Sequence, residues 1–524
     1  MIRTLPLLLA FLMFSRIVSA QSLCPIIPMP AQAEKTGGDF YLTDETPLIA
    51  ASPAVLPEAQ VLQKQLLKFT GIRVAVQPKS NRPAITLRLE KGNNPAAYTL
   101  EMSAKGVTVT AASGEGLAYG LTSFLQLARK AQGKESGIRV PCWNIQDAPL
   151  YQWRGFMLDE SRQFFGKAEV KKILDEMAFY KLNRFHWHLT DEPGWRMEIK
   201  QYPRLTLVGG IGNYHNADAP ATYYTQDEIE EVVAYASERH ITVIPEIDMP
   251  GHATAANRAY PQFSGGGSAK HPEFTFNPGK EETYQYLTNI LKEVNVLFPS
   301  GMIHIGGDEV SFGSEKWKTD PAVQQLMQKE KLFTLEQVEH YFIKRMADSL
   351  IQLNSMVLGW DEVTAAALPA KQTMVFWWRH DKPQQLKDAI DKGYKVVLCP
   401  RIPFYFDFVQ DSSNLVGRRW SGAFAPLKSV YNFSAAALPA PINGKSPLIE
   451  GIQANLWTET VSSTQRMHYL TFPRLIALAE AAWTHPEKKN FEQFEKRLKD
   501  ALPLLKQQGI YYLDTPVKTP EPIR

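Results

Sequence analysis

Eight short apolar runs recur between residues 153 and 457, and most are separated by segments with helical periodicity. They read WRGFMLD (153–159), NRFHWHLTD (183–191), ITVIPEID (241–248), MIHIGGDE (302–309), MVLGWDE (356–362), MVFWW (374–378), KVVLCP (395–400) and GIQANLW (451–457). Strands alternating with helices in this number predict an α/β chain whose main domain is a (β/α)8 barrel, although the last two connections look irregular. Nearly every run stops on a polar or aromatic group: Asp159, His188 with Asp191, Glu246 with Asp248, Asp308 with Glu309, Trp360 with Asp361, Trp378, and Trp457 with Glu459. Active sites of such barrels form at the carboxyl ends of the strands, so this chemistry is expected to converge on one mouth.

The connecting segments carry their own signals. EVKKILDEMAFYKL (169–182) puts Val170, Ile173, Leu174 and Met177 on one helical face. Thr225 and Glu228 form a capping box ahead of Ile229, Val232, Val233 and Ala236. With 524 residues there is room for more than the barrel, which is expected over 150–485. Upstream, an extended PIIPMPAQ precedes alternating runs at 84–90, 97–103 and 107–112, with a hairpin signal at Lys105-Gly106. A helix follows at 114–130, with Leu117, Leu121 and Leu125 on one side. These features predict a small α+β domain over 21–149. A helix and tail over 486–524 are expected to pack on the barrel.

Residues 1–20 combine a basic start, an apolar stretch interrupted by Arg16, and a small-residue end at Val18-Ser19-Ala20. This is the pattern of a secretory signal cut before Gln21, and it predicts an exported protein, periplasmic or at the cell surface. Cys24 raises lipid anchoring as an alternative, although Leu23 is larger than the residue such a site prefers. No later stretch is long and apolar enough to span a membrane. Removing Arg3 and Arg16 takes the formal charge from +3 to about +1 (3 − 2), with no basic tail or Lys/Arg stripe for a nucleic-acid partner. Cys24, Cys142 and Cys399 allow at most one disulfide, so a disulfide-built scaffold is excluded.

Two chemistries compete for the mouth. His186 and His188 lie on one face of a strand, as in metal-dependent amidohydrolases, with His252 and His304 as further ligand candidates. Strands five to eight add no histidine, and packing and hydrogen bonding beneath the site is the other reading of the pair. Carboxylates interleaved with tryptophan point instead to carbohydrate, whose C–H faces pack on rings and whose hydroxyls seek Asp, Glu and Arg. Glycoside hydrolysis usually sets two carboxyl groups on opposite sides of the bond. Neighbours on one strand point to opposite faces, which leaves Asp308 and Glu309 poorly placed as that pair.

The strings RGFMLDESR (154–162), NRFHWHLTDEPGWR (183–196), PGH (250–252), IHIGGDEV (303–310), GWDE (359–362), FWWR (376–379), PFYFD (403–407) and ANLWTE (454–459) resemble family 20 glycoside hydrolases, the β-N-acetylhexosaminidases. The resemblance covers most of 22 to about 485. It implies a retaining enzyme that removes terminal, non-reducing GlcNAc or GalNAc from glycans, with no metal and no cofactor. The substrate's own 2-acetamido oxygen would be the nucleophile, through an oxazolinium intermediate. By the same resemblance Glu309 is the general acid and then the base, Asp308 orients the acetamide, and Tyr405 donates to its oxygen. Trp360, Trp378 and Trp457 wall the sugar, with Trp378 rather than Trp377 fitting the pattern. Arg162, Asp407 and Glu459 bind hydroxyls, and Asp191 and His252 stand behind Glu309. A disaccharide-releasing relative with a larger pocket is the alternative within the family. Glu192-Pro193 and Phe406 depart from the usual residues, the former leaving the local loop and the leaving-group contacts open.

Overall fold

A computed structural model describes residues 23–131, 137–419, 422–438, 446–514 and 520–522, so the expected signal at 1–20 lies outside the described residues. Eight parallel strands close into a barrel: β1 (Trp153–Asp159), β2 (Arg184–His188), β3 (Thr242–Glu246), β4 (Met302–His304), β5 (Met356–Trp360), β6 (Thr373–Trp377), β7 (Lys395–Leu398) and β8 (Ile449–Leu456). β8 closes on β1 from Gly451 opposite Trp153 to Leu456 opposite Leu158. All eight apolar runs therefore form the strands expected of them.

The connections depart from expectation in two places. Of the two thought irregular, the β6–β7 link carries a regular helix, Pro383–Asp391, started by its proline and burying Leu386 and Ala389. The link without an α-helix is β5–β6, where Asp361–Ala366 forms only a 3-10 turn. The helix predicted over 169–182 runs from Lys167 to Phe179. It stops there because Lys181 takes a left-handed φ of 62°, after which Leu182 donates back to the Met177 carbonyl at 2.8 Å. The Thr225–Glu228 capping box is present, with Ile229, Val232 and Ala236 buried and Val233 half-buried.

Ahead of the barrel lies a seven-stranded mixed sheet, ordered 32–42, 138–147, 98–103, 106–111, 84–89, 47–49, 75–77. Helix Gly114–Lys130 packs its leucines on it. Among the contacts that join this sheet to the barrel is a buried carboxylate. Asp147 accepts from the Ala31 N–H (3.0 Å), the Tyr98 hydroxyl (2.7 Å) and the Trp483 indole (3.0 Å), and faces the buried Lys181 ammonium at 3.5 Å. Burial lowers the Lys181 pKa to about 8 against the pull of Asp147. Asp147→Ala leaves that ammonium without its counter-charge and is expected to cost about 3–5 kcal/mol, read as a lower thermal midpoint. An unchanged midpoint would show that the joint carries no stability. The carboxyl-terminal helix Phe491–Gln507 is fixed by Arg497, which pairs with Glu480 at 2.6 Å and donates to the Ile26 carbonyl at 2.7 Å.

Candidate active site

The carboxyl ends of the strands surround a cavity lined by Arg162, Asp191, His252, Asp308, Glu309, Trp360, Trp378, Tyr405, Asp407, Arg418, Trp457 and Glu459. Every residue that the family resemblance placed in the site lines it, whereas Asp159, His186, His188, Glu246, Asp248, His304 and Asp361 do not. Arg418 is the addition.

Asp308 and Glu309 reach it by a route that strand geometry did not foresee. β4 ends at His304, so pleat alternation does not govern residues 308 and 309. Gly306 (φ 65°), Gly307 (φ 88°) and then Glu309 (φ 53°) turn the chain so that both carboxylates line the cavity. At Gly306 a Cβ would fall 1.8 Å from Asp248 Oδ1, so glycine is needed for space as well as for φ. Glu309 and His252 (φ 54°) are both non-glycine residues held in the left-handed region, a strain that clusters at functional sites.

Behind the two acids runs a chain of charge. Arg162 Nη1 lies 2.7 Å from Asp191 Oδ2, and Asp191 Oδ1 lies 3.0 Å from His252 Nδ1. The other face of the imidazole, Nε2, looks at Asp308 Oδ2 (3.6 Å) and Glu309 Oε2 (3.8 Å). Burial disfavours the imidazolium, but Asp191 and Asp248 outweigh it and hold the His252 pKa well above its usual value. Burial likewise opposes ionisation of Asp191, yet Arg162 and His252 pull its pKa far below normal. For Asp308 burial wins: with the nearby Glu309 charge it pushes the carboxyl up to about 7 against His252. A fixed cation thus faces Glu309 and a reluctant anion.

Arg162 also approaches Asp159 at 3.4 Å. Glu160, next to it in sequence, accepts instead from the Trp187 indole (2.6 Å) and the Tyr224 hydroxyl (2.7 Å). His186, His188 and His304 gather around buried Glu246 below the mouth. His188 Nδ1 lies 2.5 Å and His186 Nε2 3.0 Å from Glu246 Oε2, and His304 Nδ1 lies 3.0 Å from Oε1. His186, Glu246 and His304 could reach one ion. His186 Nδ1 lies 3.0 Å from the Gln453 amide and His304 Nδ1 accepts from Gly306 N–H at 3.1 Å, while Nε2 of each ring is buried without a hydrogen-bond partner. Glu246 Oε1 also accepts from the Trp360 indole at 2.9 Å, which fixes that wall of the cavity.

The remaining walls are aromatic. Trp378 and Tyr405 stand parallel (9°, centroids 6.3 Å apart), and Trp457 adjoins Tyr405 (6.0 Å) and Trp360 (5.8 Å). Trp378 is set by its indole donating to Glu362 at 3.1 Å. Trp377 is buried and absent from the lining, as the pattern predicted. Opposite the acid, Arg418 binds Glu459 (2.6 Å) and Asp407 (3.2 Å). Burial, and next the Glu459 charge, raise the Asp407 pKa to about 8, with Arg418 pulling the other way. Buried Arg474 fixes the Tyr405–Asp407 loop by donating to the carbonyls of Phe406, Phe408 and Ala425. No periodicity announces Arg418, because it returns to Asp407 through an irregular loop, its N–H donating to the Asp407 carbonyl at 3.0 Å.

A closed end of paired charges, a ring of aromatics and a part-exposed carboxyl group at one rim suit a neutral, hydroxyl-rich ring. Comparison with known proteins agrees. Residues 151–486 match the glycosyl hydrolase family 20 catalytic domain, and residues 23–148 match domain 2 of that family. A beta-hexosaminidase of Porphyromonas gingivalis is 34% identical over 93% of this chain, which spans 64% of that protein's length. A beta-hexosaminidase of Vibrio furnissii is 33% identical, covering 87% of this chain and 76% of its own. Among solved structures, the exo beta-N-acetylglucosaminidase of Vibrio harveyi superposes with TM-score 0.86 at 31% identity, over 94% of this chain and 79% of that one. The beta-N-acetylhexosaminidase of Bacteroides fragilis gives 0.82 at 30%, over 95% and 99%. Two adjoining domain matches and a barrel whose eight strand ends meet in one cavity leave a single assignment: the chain belongs to glycosyl hydrolase family 20.

Proposed function

We propose that the protein is a retaining exo-β-N-acetylhexosaminidase that removes terminal N-acetylhexosamine from glycans by substrate-assisted catalysis. The observation that carries this reading is the commitment of the other acids lining the cavity. Asp191 is bound to Arg162 and His252, and Asp407 and Glu459 are bound to Arg418, so none of the three is free to attack an anomeric carbon. A nucleophile carried by the substrate fills that role. Glu309 protonates the leaving oxygen as the acetamido oxygen attacks, and then takes a proton from the water that opens the oxazolinium ring. Asp308 accepts from the acetamide N–H and opposes the positive charge that develops beside it, help that can be worth on the order of 3 kcal/mol. Tyr405 donates to the acetamide oxygen, and Trp360, Trp378 and Trp457 enclose the ring. Arg162, Asp407 and Glu459 take the hydroxyls at the closed end, which favours single terminal residues over a disaccharide.

Among the described residues no helix is long and apolar enough to cross a membrane. The pattern of residues 1–20 supports export as part of the same proposal. One experiment tests both parts: aryl N-acetylglucosaminide, N-acetylgalactosaminide and natural oligosaccharides are supplied to the chain recovered from exported fractions, with anomers followed by NMR. Initial release of the β-anomer of a single sugar, by a chain whose mass starts at Gln21, is expected. Release of the α-anomer or of a disaccharide would overturn the mechanism or the exo assignment. A chain found only in the cytoplasm and starting at Met1 would overturn export.

A further inference from the structure

The rim beyond Glu309 carries a construction that this reaction leaves unused. Glu309 is the most open charged side chain of the cavity, 31% exposed against 12% for Asp308, 25% for Arg418, 13% for Glu459 and 10% for Arg162. A group that protonates the leaving oxygen has the rest of the leaving group beside it, so the departing part of the glycan lies along this open edge. One turn on stands Phe312, whose N–H donates to the Glu309 carbonyl at 2.9 Å and whose side chain is 47% exposed.

An exposed phenylalanine is unremarkable alone, but this one is held. Its ring stacks on His271 (24°, centroids 5.7 Å), and His271 Nδ1 lies 3.1 Å from both carboxylate oxygens of Glu192. Phe274 touches His271 on one side (5.4 Å) and His252 on the other (4.8 Å), so the rim and the charge chain behind the acid are continuous. The His271 and Glu192 side chains remain about one-third exposed, at 34% and 27%. A flat apolar ring backed by an imidazole that a carboxylate holds suits a pyranose: an axial C–H face to cover and hydroxyls to bind. Glu192 is also the position where the chain departs from the usual family residue after Asp191.

We propose that Phe312, backed by His271 and Glu192, forms a leaving-group subsite that takes the second pyranose of the glycan, stacked on the Phe312 ring with hydroxyls towards Glu192 and His271. It rests on the hexosaminidase reading above. The test compares kcat/KM on chitobiose, which has a second ring, with methyl β-N-acetylglucosaminide, which lacks one but has a similarly poor leaving group. Phe312→Ala is expected to lose about tenfold on chitobiose, chiefly in KM, and less than about twofold on the methyl glycoside. Phe312→Tyr, which keeps the ring, should stay within about twofold on both. Equal losses on the two substrates would mean that Phe312 only supports the Glu309 turn, and no loss on either would mean that the ring binds nothing; each overturns the subsite. If the unaltered enzyme hydrolyses neither substrate, the hexosaminidase reading itself fails and the subsite falls with it.

Discussion

Glu309→Gln is expected to slow hydrolysis of chitobiose by about a thousandfold while KM moves by no more than a few-fold. Glutamine preserves the shape and the hydrogen-bonding reach of the side chain, so the aromatic walls and the Arg162–Asp191–His252 chain keep their places. What it cannot do is give up a proton to a departing sugar oxygen or take one from water. The loss should therefore depend on the leaving group. A dinitrophenyl glycoside needs no acid to depart, so its first step should run at close to the normal rate and leave the water step limiting. Steady-state rates across leaving groups of increasing basicity would show the gap widening. Chitobiose turned over at the unaltered rate would refute the acid assignment.

The second large effect is set by the substrate. Replacing the 2-acetamido group by hydroxyl, in an aryl glucoside carrying the same aryl group, is expected to lower kcat/KM by about five orders of magnitude. That is the scale on which a well-placed internal nucleophile outperforms an external one. Asp308 is a weak substitute, because burial and Glu309 raise its pKa to about 7, and in the proposed mechanism it attends to the acetamide N–H rather than the anomeric carbon. The acids of the closed end are held by Arg418. Comparable rates on the two aryl glycosides would exclude assistance by the substrate.

The barrel was legible because its strands are buried on both faces and end in chemistry, so WRGFMLD or MVLGW reads as a strand from composition and ending alone. Four of the seven strands in the amino-terminal sheet were not recognised. Gln32–Leu42 is largely exposed and interrupted by Gly37 and Gly38 at positive φ, which hides any alternation. Ile138–Asp147 does alternate, burying Ile138, Val140, Cys142 and Ile145, and its signal was available. Pro47–Ile49 and Ala75–Gln77 are three residues each, too short for a period to show. In the cavity, the residues foreseen all sit at strand ends or in quoted motifs. The doubt over Asp308 and Glu309 came from extending the strand's alternation four residues too far, past two glycines that abolish it. Arg418 was invisible because its neighbour Asp407 is close through a loop, not through register.

The Asp147 joint bears on how such a chain can be rearranged. A carboxylate that answers at once to Ala31, Tyr98, Trp483 and Lys181 belongs to neither half of the molecule. A foreign barrel grafted behind this sheet would have to bring its own Lys181 and Trp483, and a barrel expressed without the sheet would lose the Asp147 carboxylate and the Tyr98 and Ser123 hydroxyls that surround the Lys181 ammonium. The small sheet and the catalytic half are therefore matched at this joint, and a change on one side has to be answered on the other.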